Sequence, residues 1–285
     1  MSRIAYVNGR YVAHGDAMVH VEDRGYQYSD GVYEVVAVHN GKYVDNDGHF
    51  ERLERSLGEL RITPPMSRRS MEVVMHEVLR RNRVRNGFVY MQITRGVAPR
   101  NHGFPKGVPS AFVMTARHLK PLDMNAVRKG VRVITVPDIR WKRRDIKSVS
   151  LLPNVLAKQQ AEEVGAYEAW QVDDDGNVTE GTLSNAWIVN ADGELLTRQA
   201  DNFILRGITR LAVMRVASGE GVTFTERAFS VKEAKAAREA FLTSSTVPIK
   251  PIVQIDDTVI GDGTVGPVTG RLMDFYATYL DNLES

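Results

Sequence analysis

The feature that most constrains the fold is a repeated device in the first fifty residues, two short apolar runs joined by Asn-Gly. Ile4-Ala-Tyr-Val7 and Tyr11-Val12 flank Asn8-Gly9, and residues 31–39 and 42–44 flank Asn40-Gly41. Asn-Gly accepts the positive φ angles of a two-residue hairpin turn, so both pairs are expected as antiparallel hairpins. The period then changes. Phe50, Leu53, Leu57 and Leu60 lie at helical spacing before Pro64-Pro65, and residues 71–79 read as a second helix. Residues 88–94 and 110–115 return to strand character across a loop, residues 95–109, rich in Gly and Pro and carrying Arg and His. Such a loop is a candidate ligand contact.

The pattern breaks near Arg117-His-Leu-Lys-Pro-Leu-Asp123. Residues 1–118 are therefore expected to form one α/β domain, 119–124 a linker and 125–285 a second domain. The second opens with a strand at 131–136. A helix begins near Pro153 and ends at Gly165, residues favoured respectively inside the first turn and past the last. Strands follow at 168–172, 186–189 and 194–196, then helices at 207–217 and 232–240, and a strand at 240–243 that runs into Thr243-Ser-Ser-Thr246. There is no internal repeat. The mixture of helix and strand places the chain in the α/β (α+β) class.

Composition narrows the chemistry. No apolar run approaches the ~20 residues of a membrane-spanning helix, and the first ten residues lack the apolar core of a secretory signal, so a cytoplasmic soluble protein is expected. The chain has no cysteine. Disulfides, thiolate metal sites and Cys nucleophiles are excluded together, and covalent chemistry must come from Lys, Ser, Thr, Asp, Glu, His or Tyr. The net charge of +2 conceals an excess of Arg over Lys, which suits bidentate recognition of carboxylate and phosphate. The basic run Arg80-Arg81-Asn-Arg83-Val-Arg85 closes a helix and carries no interleaved aromatics, so it does not read as a nucleic-acid surface.

Three motif-like segments lack the context their chemistry needs. Gly261-Asp-Gly-Thr-Val-Gly266 matches a dinucleotide fingerprint, but Pro267 follows it and the chain ends before the required acid. His76-Glu77 has Arg80 where the second histidine of a zinc helix would stand, and no metal is expected. Val178-Thr-Glu-Gly-Thr-Leu-Ser-Asn185 holds no nucleophile elbow.

Three other features describe one ligand between them. Lys147, in Arg143-Arg-Asp-Ile-Lys-Ser148, lies near cations that would favour its neutral amine. Gly207-Ile208-Thr209 opens a helix with backbone N–H groups suited to phosphate, and residues 243–246 add hydroxyls. A phosphorylated aldehyde cofactor uses an amine, a phosphate cup and a carboxylate for its ring nitrogen.

At this point the sequence resembles the fold type IV pyridoxal-phosphate aminotransferases, and within them the D-amino-acid aminotransferases. The resemblance runs through Glu22–Val36, Arg95–His102, Asp138-Ile-Arg-Trp141 with Asp145-Ile-Lys-Ser148, Val178-Thr-Glu-Gly181 and Leu205-Arg-Gly-Ile-Thr-Arg210. It implies a two-domain fold with pyridoxal 5'-phosphate between the domains, the first supplying Tyr33, Arg52, Arg100 and His102 and the second Lys147, Glu180 and the phosphate cup. Lys147 would hold the cofactor and move the substrate proton, and Glu180 would face the pyridine nitrogen. Arg52, Ile208, Thr209, Ser245 and its neighbour Ser244 would bind the phosphate, with Leu205 against the ring. Tyr33, Arg100 and His102 would trap the substrate α-carboxylate, with Arg100-Asn-His102 as the most discriminating feature. The implied reaction is ping-pong transamination between a D-amino acid and a 2-oxo acid, in a homodimer. The same cofactor residues would serve a branched-chain L-amino-acid or (R)-amine aminotransferase, or an aminodeoxychorismate lyase.

Overall fold

Asn8 and Gly9 sit at φ +46° and +91°, and Asn40 and Gly41 at +52° and +86°. Both Asn-Gly turns thus take the left-handed geometry that a tight hairpin requires. The computed structural model describes residues 3–283. Strand β1 (Ile4–Val7) pairs antiparallel with β2 (Arg10–Ala13), and β3 (Gly31–His39) with β4 (Lys42–Tyr43). Between the hairpins lies α1 (Arg24–Tyr28), whose N-terminus is held by the Asp23 carboxylate accepting from Gly25 N at 2.8 Å. Helices α2 (Asn46–Glu59) and α3 (Arg68–Asn82) follow, then β5 (Gly87–Thr94) and β6 (Ala111–His118). These six strands form one antiparallel sheet in the order β2-β1-β6-β5-β3-β4.

Alternation along β3 buries Val32, Val36 and Val38, which share a core with Phe50, Leu53 and Leu57 of α2 and Met71, Met75 and Val78 of α3. At roughly 1.5–3 kcal/mol for each large apolar side chain buried, this contact holds the helices on the sheet. The same phase of β3 also buries Glu34.

The chain divides into two compact units, the first reaching Pro121 and including Ile146–Ser150, the second comprising Leu122–Asp145 and Leu151–Leu283. Assignment of 146–150 to the first unit departs from the expected boundary, and with it Lys147 leaves the second domain. The cause is local pairing: Ile146 enters the first unit's core, Ser148 bridges Val32, and Tyr33 N donates to the Lys147 carbonyl at 3.0 Å.

The second unit begins with α4 (Met124–Arg128) and β7 (Val131–Pro137). Helix α5 (Leu152–Glu163) carries Pro153 in its first turn, is followed by Gly165 at φ +70°, and leads to β8 (Glu168–Val172), parallel to β7. A parallel neighbour needs such a crossover. Then come β9 (Val178–Gly181), β10 (Asn185–Val189), β11 (Leu195–Thr197), α6 (Ile208–Gly219), β12 (Phe224–Glu226), α7 (Val231–Lys235), β13 (Glu239–Thr243), β14 (Lys250–Ile255), β15 (Thr258–Val259) and α8 (Pro267–Asp281). The nine strands form one mixed sheet, β12-β11-β10-β13-β14-β7-β8-β9 with β15 on β14. Helix α7 ends earlier than the sequence suggests because Glu239 already belongs to β13, paired with Val189. Among the described residues no helix is long and apolar enough to cross a membrane.

Candidate active site

In the first unit the polar residues of α2 form a stripe. His49, Arg52 and Ser56 repeat at three and four residues beside the apolar stripe Phe50, Leu53 and Leu57, and all six are buried. They meet Glu34 of β3. Arg52 grips its carboxylate bidentately, Nε to Oε1 and Nη2 to Oε2 at 2.8 Å each, and His49 Nδ1 lies 2.8 Å from Oε2. Burial alone would raise the Glu34 carboxyl, but the Arg52 charge overrides it and holds the group well below the usual carboxylate range. Burial keeps the His49 imidazole below its ordinary value despite Glu34. Lys147 joins this face, its backbone N donating to Ser56 Oγ at 3.3 Å. Its Nζ stands 4.2 Å from the Tyr33 ring centroid, and Tyr33 stacks on Tyr90 with centroids 5.7 Å apart.

Arg100 and His102 are exposed and meet at Tyr28. The guanidinium carbon of Arg100 lies 4.7 Å from that ring's centroid, and the His102 ring is 5.3 Å away. Arg24 also stacks on Tyr28, at 4.8 Å, and donates from Nη1 to the Asn101 carbonyl at 2.5 Å, which ties down the turn between Arg100 and His102. Of the three residues expected to bind the substrate carboxylate, Arg100 and His102 thus meet at Tyr28, while Tyr33 lies with Lys147 and Tyr90.

In the second unit Glu180 is the next-to-last residue of β9, with its side chain buried. Its Oε2 accepts from Asn185 Nδ2 and from Leu205 N, each at 3.0 Å, and Oε1 takes an ion pair from Arg140 Nη1. Desolvation pushes this carboxyl up, against the pull of Arg140. Arg140 also holds Asp138, Nε to Oδ1 at 2.9 Å and Nη2 to Oδ2 at 2.7 Å. Arg143 and Arg144, read from the sequence as cations beside Lys147, are matched by carboxylates instead, Arg143 by Asp145 at 3.0 Å and Arg144 by Asp138 at 3.2 Å.

Helix α6 starts at Gly207 with no side chain capping it, and Ile208 and Thr209 supply its first amides. A Cβ at position 207 would overlap the Asn185 side chain that holds Glu180, so a glycine is needed where α6 approaches that carboxylate. Ser244 commits its hydroxyl to its own turn, donating to the Val247 carbonyl at 3.0 Å and accepting from Val247 N at 3.2 Å. The fingerprint-like segment 261–266 does precede a helix, since Pro267 is accommodated in the first turn of α8. Yet the Glu239 carboxylate already accepts from Val268 N at 3.0 Å and Thr269 N at 2.7 Å. A carboxylate at that helix end excludes a phosphate there.

Residues 31–255 match the family described as "Amino-transferase class IV". The chain belongs to the class IV aminotransferases. It is 38% identical over 280 residues to a D-alanine aminotransferase of Staphylococcus haemolyticus, covering 98% of this chain and 99% of the relative. A D-alanine aminotransferase of Listeria innocua is 40% identical over 272 residues, 95% and 93% of the two chains. Among solved structures, the T.th. branched-chain amino acid aminotransferase with pyridoxamine 5'-phosphate superposes with a TM-score of 0.90 at 26% identity, covering 98% of this chain and 94% of that one. Within this class IV chain, the residues missed by sequence reasoning are Glu34, His49, Asp138, Arg140 and Asn185. Two carried a signal: Glu34 breaks an apolar phase between Val32 and Val36, and His49 lies one helical turn before Arg52.

Proposed function

We propose that this chain is a pyridoxal-phosphate-dependent aminotransferase that takes the amino group from a D-amino acid such as D-alanine and passes it to a 2-oxo acid such as 2-oxoglutarate. The observation that carries the reading is the similarity to D-alanine aminotransferases over 98% of the chain. The donor set fits the cofactor: an amine on Lys147, a buried carboxylate on Glu180, an arginine on α2, and a helix start that no side chain caps. When bound, pyridoxal phosphate supplies an aldehyde to hold the amino group and a ring that accepts the electron pair left as Cα loses its proton.

The side chains then divide the work. The Lys147 amine, lying over the face of Tyr33, holds the cofactor and afterwards carries the proton to and from the substrate carbon. The Glu180 carboxylate keeps the ring nitrogen's proton in place. Arg52, the amides of Ile208 and Thr209, and Ser245 take the phosphate. Leu205 packs on the ring, and Ser244 serves mainly to shape the turn that presents Ser245. Tyr33, Arg100 and His102 bind the substrate carboxylate, and the side on which it is fixed selects the enantiomer whose Cα hydrogen meets Lys147.

With 2-oxoglutarate as acceptor, D-alanine is expected to exceed L-leucine in kcat/KM by about 10–100-fold, since the wrong enantiomer forfeits a charged hydrogen bond of ~1.5–3 kcal/mol. A clear preference for L-leucine would move the chain to the branched-chain reading that its structural similarity also fits. A purified protein that develops no visible absorption with added pyridoxal phosphate would remove both.

The proposal includes a cytoplasmic homodimer in which the loop bearing Arg100 and His102 of one subunit serves its partner's site. Support comes from the exposure of that loop and of Met18 (78%), Val21 (70%) and Tyr26 (76%), apolar side chains close together in sequence on the same unit, since exposed apolar surface is what association covers. Sedimentation velocity is expected to show twice the 31.9 kDa chain mass, and Val21→Asp with Tyr26→Asp should yield monomers with little activity. A wild-type protein that sediments as a monomer at all concentrations refutes it.

A further inference from the structure

We infer that Arg140, clamped by Asp138, is a positioning residue that fixes the orientation of the Glu180 carboxylate and keeps it charged. The inference rests on the reading of Glu180 as the partner of the cofactor's ring nitrogen. The geometry follows from the guanidinium fork. Nε and Nη2 of Arg140 are both committed to Asp138, at 2.9 and 2.7 Å, and Asp138 is itself fixed by Thr179 Oγ1 at 2.7 Å. Because the guanidinium is planar and rigid, two committed nitrogens leave Nη1 a single direction, and it meets Glu180 Oε1.

The carboxylate is thereby placed by three donors. Asn185 and Leu205 occupy Oε2, and Arg140 takes one side of Oε1. An ionised carboxylate has about four acceptor positions, so the one remaining, on Oε1, is aimed by the other three. The side chains of Asp138, Arg140 and Glu180 are 0%, 8% and 6% exposed. At such burial a carboxylate without a cation would take up a proton, and a protonated Glu180 could no longer accept from a ring N–H in that arrangement. The other charges facing this group are Arg144, paired with Asp138 at 3.2 Å, and Arg210 of α6, which donates to Glu226 at 2.6 Å. Of these three cations, Arg140 is the one that donates to Glu180.

The test compares Arg140→Met, Arg140→Lys and Glu180→Gln, each first shown to be folded by circular dichroism and thermal melting. The Glu180 carboxyl is titrated by 13C NMR in the cofactor-free protein, its signal assigned by its loss in Glu180→Gln. Removing the charge in Arg140→Met is expected to raise the titration midpoint by about 1–3 pH units and to lower kcat with little change in KM. Arg140→Lys retains a cation without the fork, so its midpoint should stay within about one unit of wild type. Its kcat should nonetheless fall roughly tenfold, equivalent to about 1.4 kcal/mol. An unmoved midpoint in Arg140→Met, or full recovery of kcat in Arg140→Lys, overturns the inference. If Arg140→Met does not fold, the same titration of Asp138→Asn decides, with an unmoved midpoint again overturning it. Full activity in Glu180→Gln would instead overturn the underlying assignment of Glu180, whatever the titration shows.

Discussion

Lys147→Ala is expected to eliminate covalent cofactor attachment and to reduce transamination by at least ~10⁴-fold, because it removes both the amine that forms the bond and the proton carrier, the latter alone worth about 10²–10⁴. Fold damage cannot account for such a loss. The backbone of residue 147 is held from both sides, its carbonyl accepting from Tyr33 N and its N–H donating to Ser56, and neither bond uses the side chain. The half-buried side chain lies over Tyr33 without an ion pair of its own among the described residues, so the change in stability should stay within about 1 kcal/mol. Borohydride reduction with pyridoxal phosphate, followed by mass spectrometry, should place the added mass on the wild-type peptide spanning residue 147 and on no peptide of the variant. Attachment at another lysine, or residual activity above a hundredth of wild type, would show that the covalent residue lies elsewhere.

How much was legible depends on whether a signal is local. The Asn-Gly hairpins, the α2 and α3 periods, and the proline and glycine that bound α5 are local, and each appears in the structure. Short α1 and α4 have no periodicity to read and rest on aspartate caps, Asp23 and Asp123. The long α8 was hidden by Pro267, which reads as a stop yet fits a first turn. The assignment of 146–150 to the first unit was illegible for a different reason: the segment leaves the second unit and returns within five residues, and only pairing with β3 shows it. The same distinction governs the site. Lys147, Glu180 and Gly207 stand within recognisable motifs, whereas Arg140 and Asn185 gain meaning only by converging on Glu180 from separate segments.

Glu34→Gln should have the largest effect on stability, about 3–5 kcal/mol, which is the usual consequence of stranding one member of a buried ion pair. Arg52 would remain buried with its bidentate partner replaced by a neutral amide, and His49 would lose its anion. The trio joins α2 to β3, so the loss falls on the contact that also places Ser56 beneath Lys147. The pH dependence supplies a second signature. Glu34 titrates lower in the folded chain than in the unfolded one, so its contribution is complete above the unfolded value of about 4.3 and disappears as pH falls below it. His49 is also depressed, so acidification through about 6.5 protonates the unfolded chain first and destabilises the fold in the same direction. Wild type should therefore lose stability from about pH 6.5 downward, whereas in Glu34→Gln the share of that loss contributed by Glu34, below about pH 4.3, is absent and the slope there is shallower. Urea unfolding across this range measures both effects. A variant as stable as wild type at neutral pH would mean that apolar packing of Phe50, Leu53 and Leu57 suffices to seat α2. In the proposed enzyme the same substitution should also weaken binding of pyridoxal phosphate, because an Arg52 no longer gripped by Glu34 must be ordered by the phosphate itself.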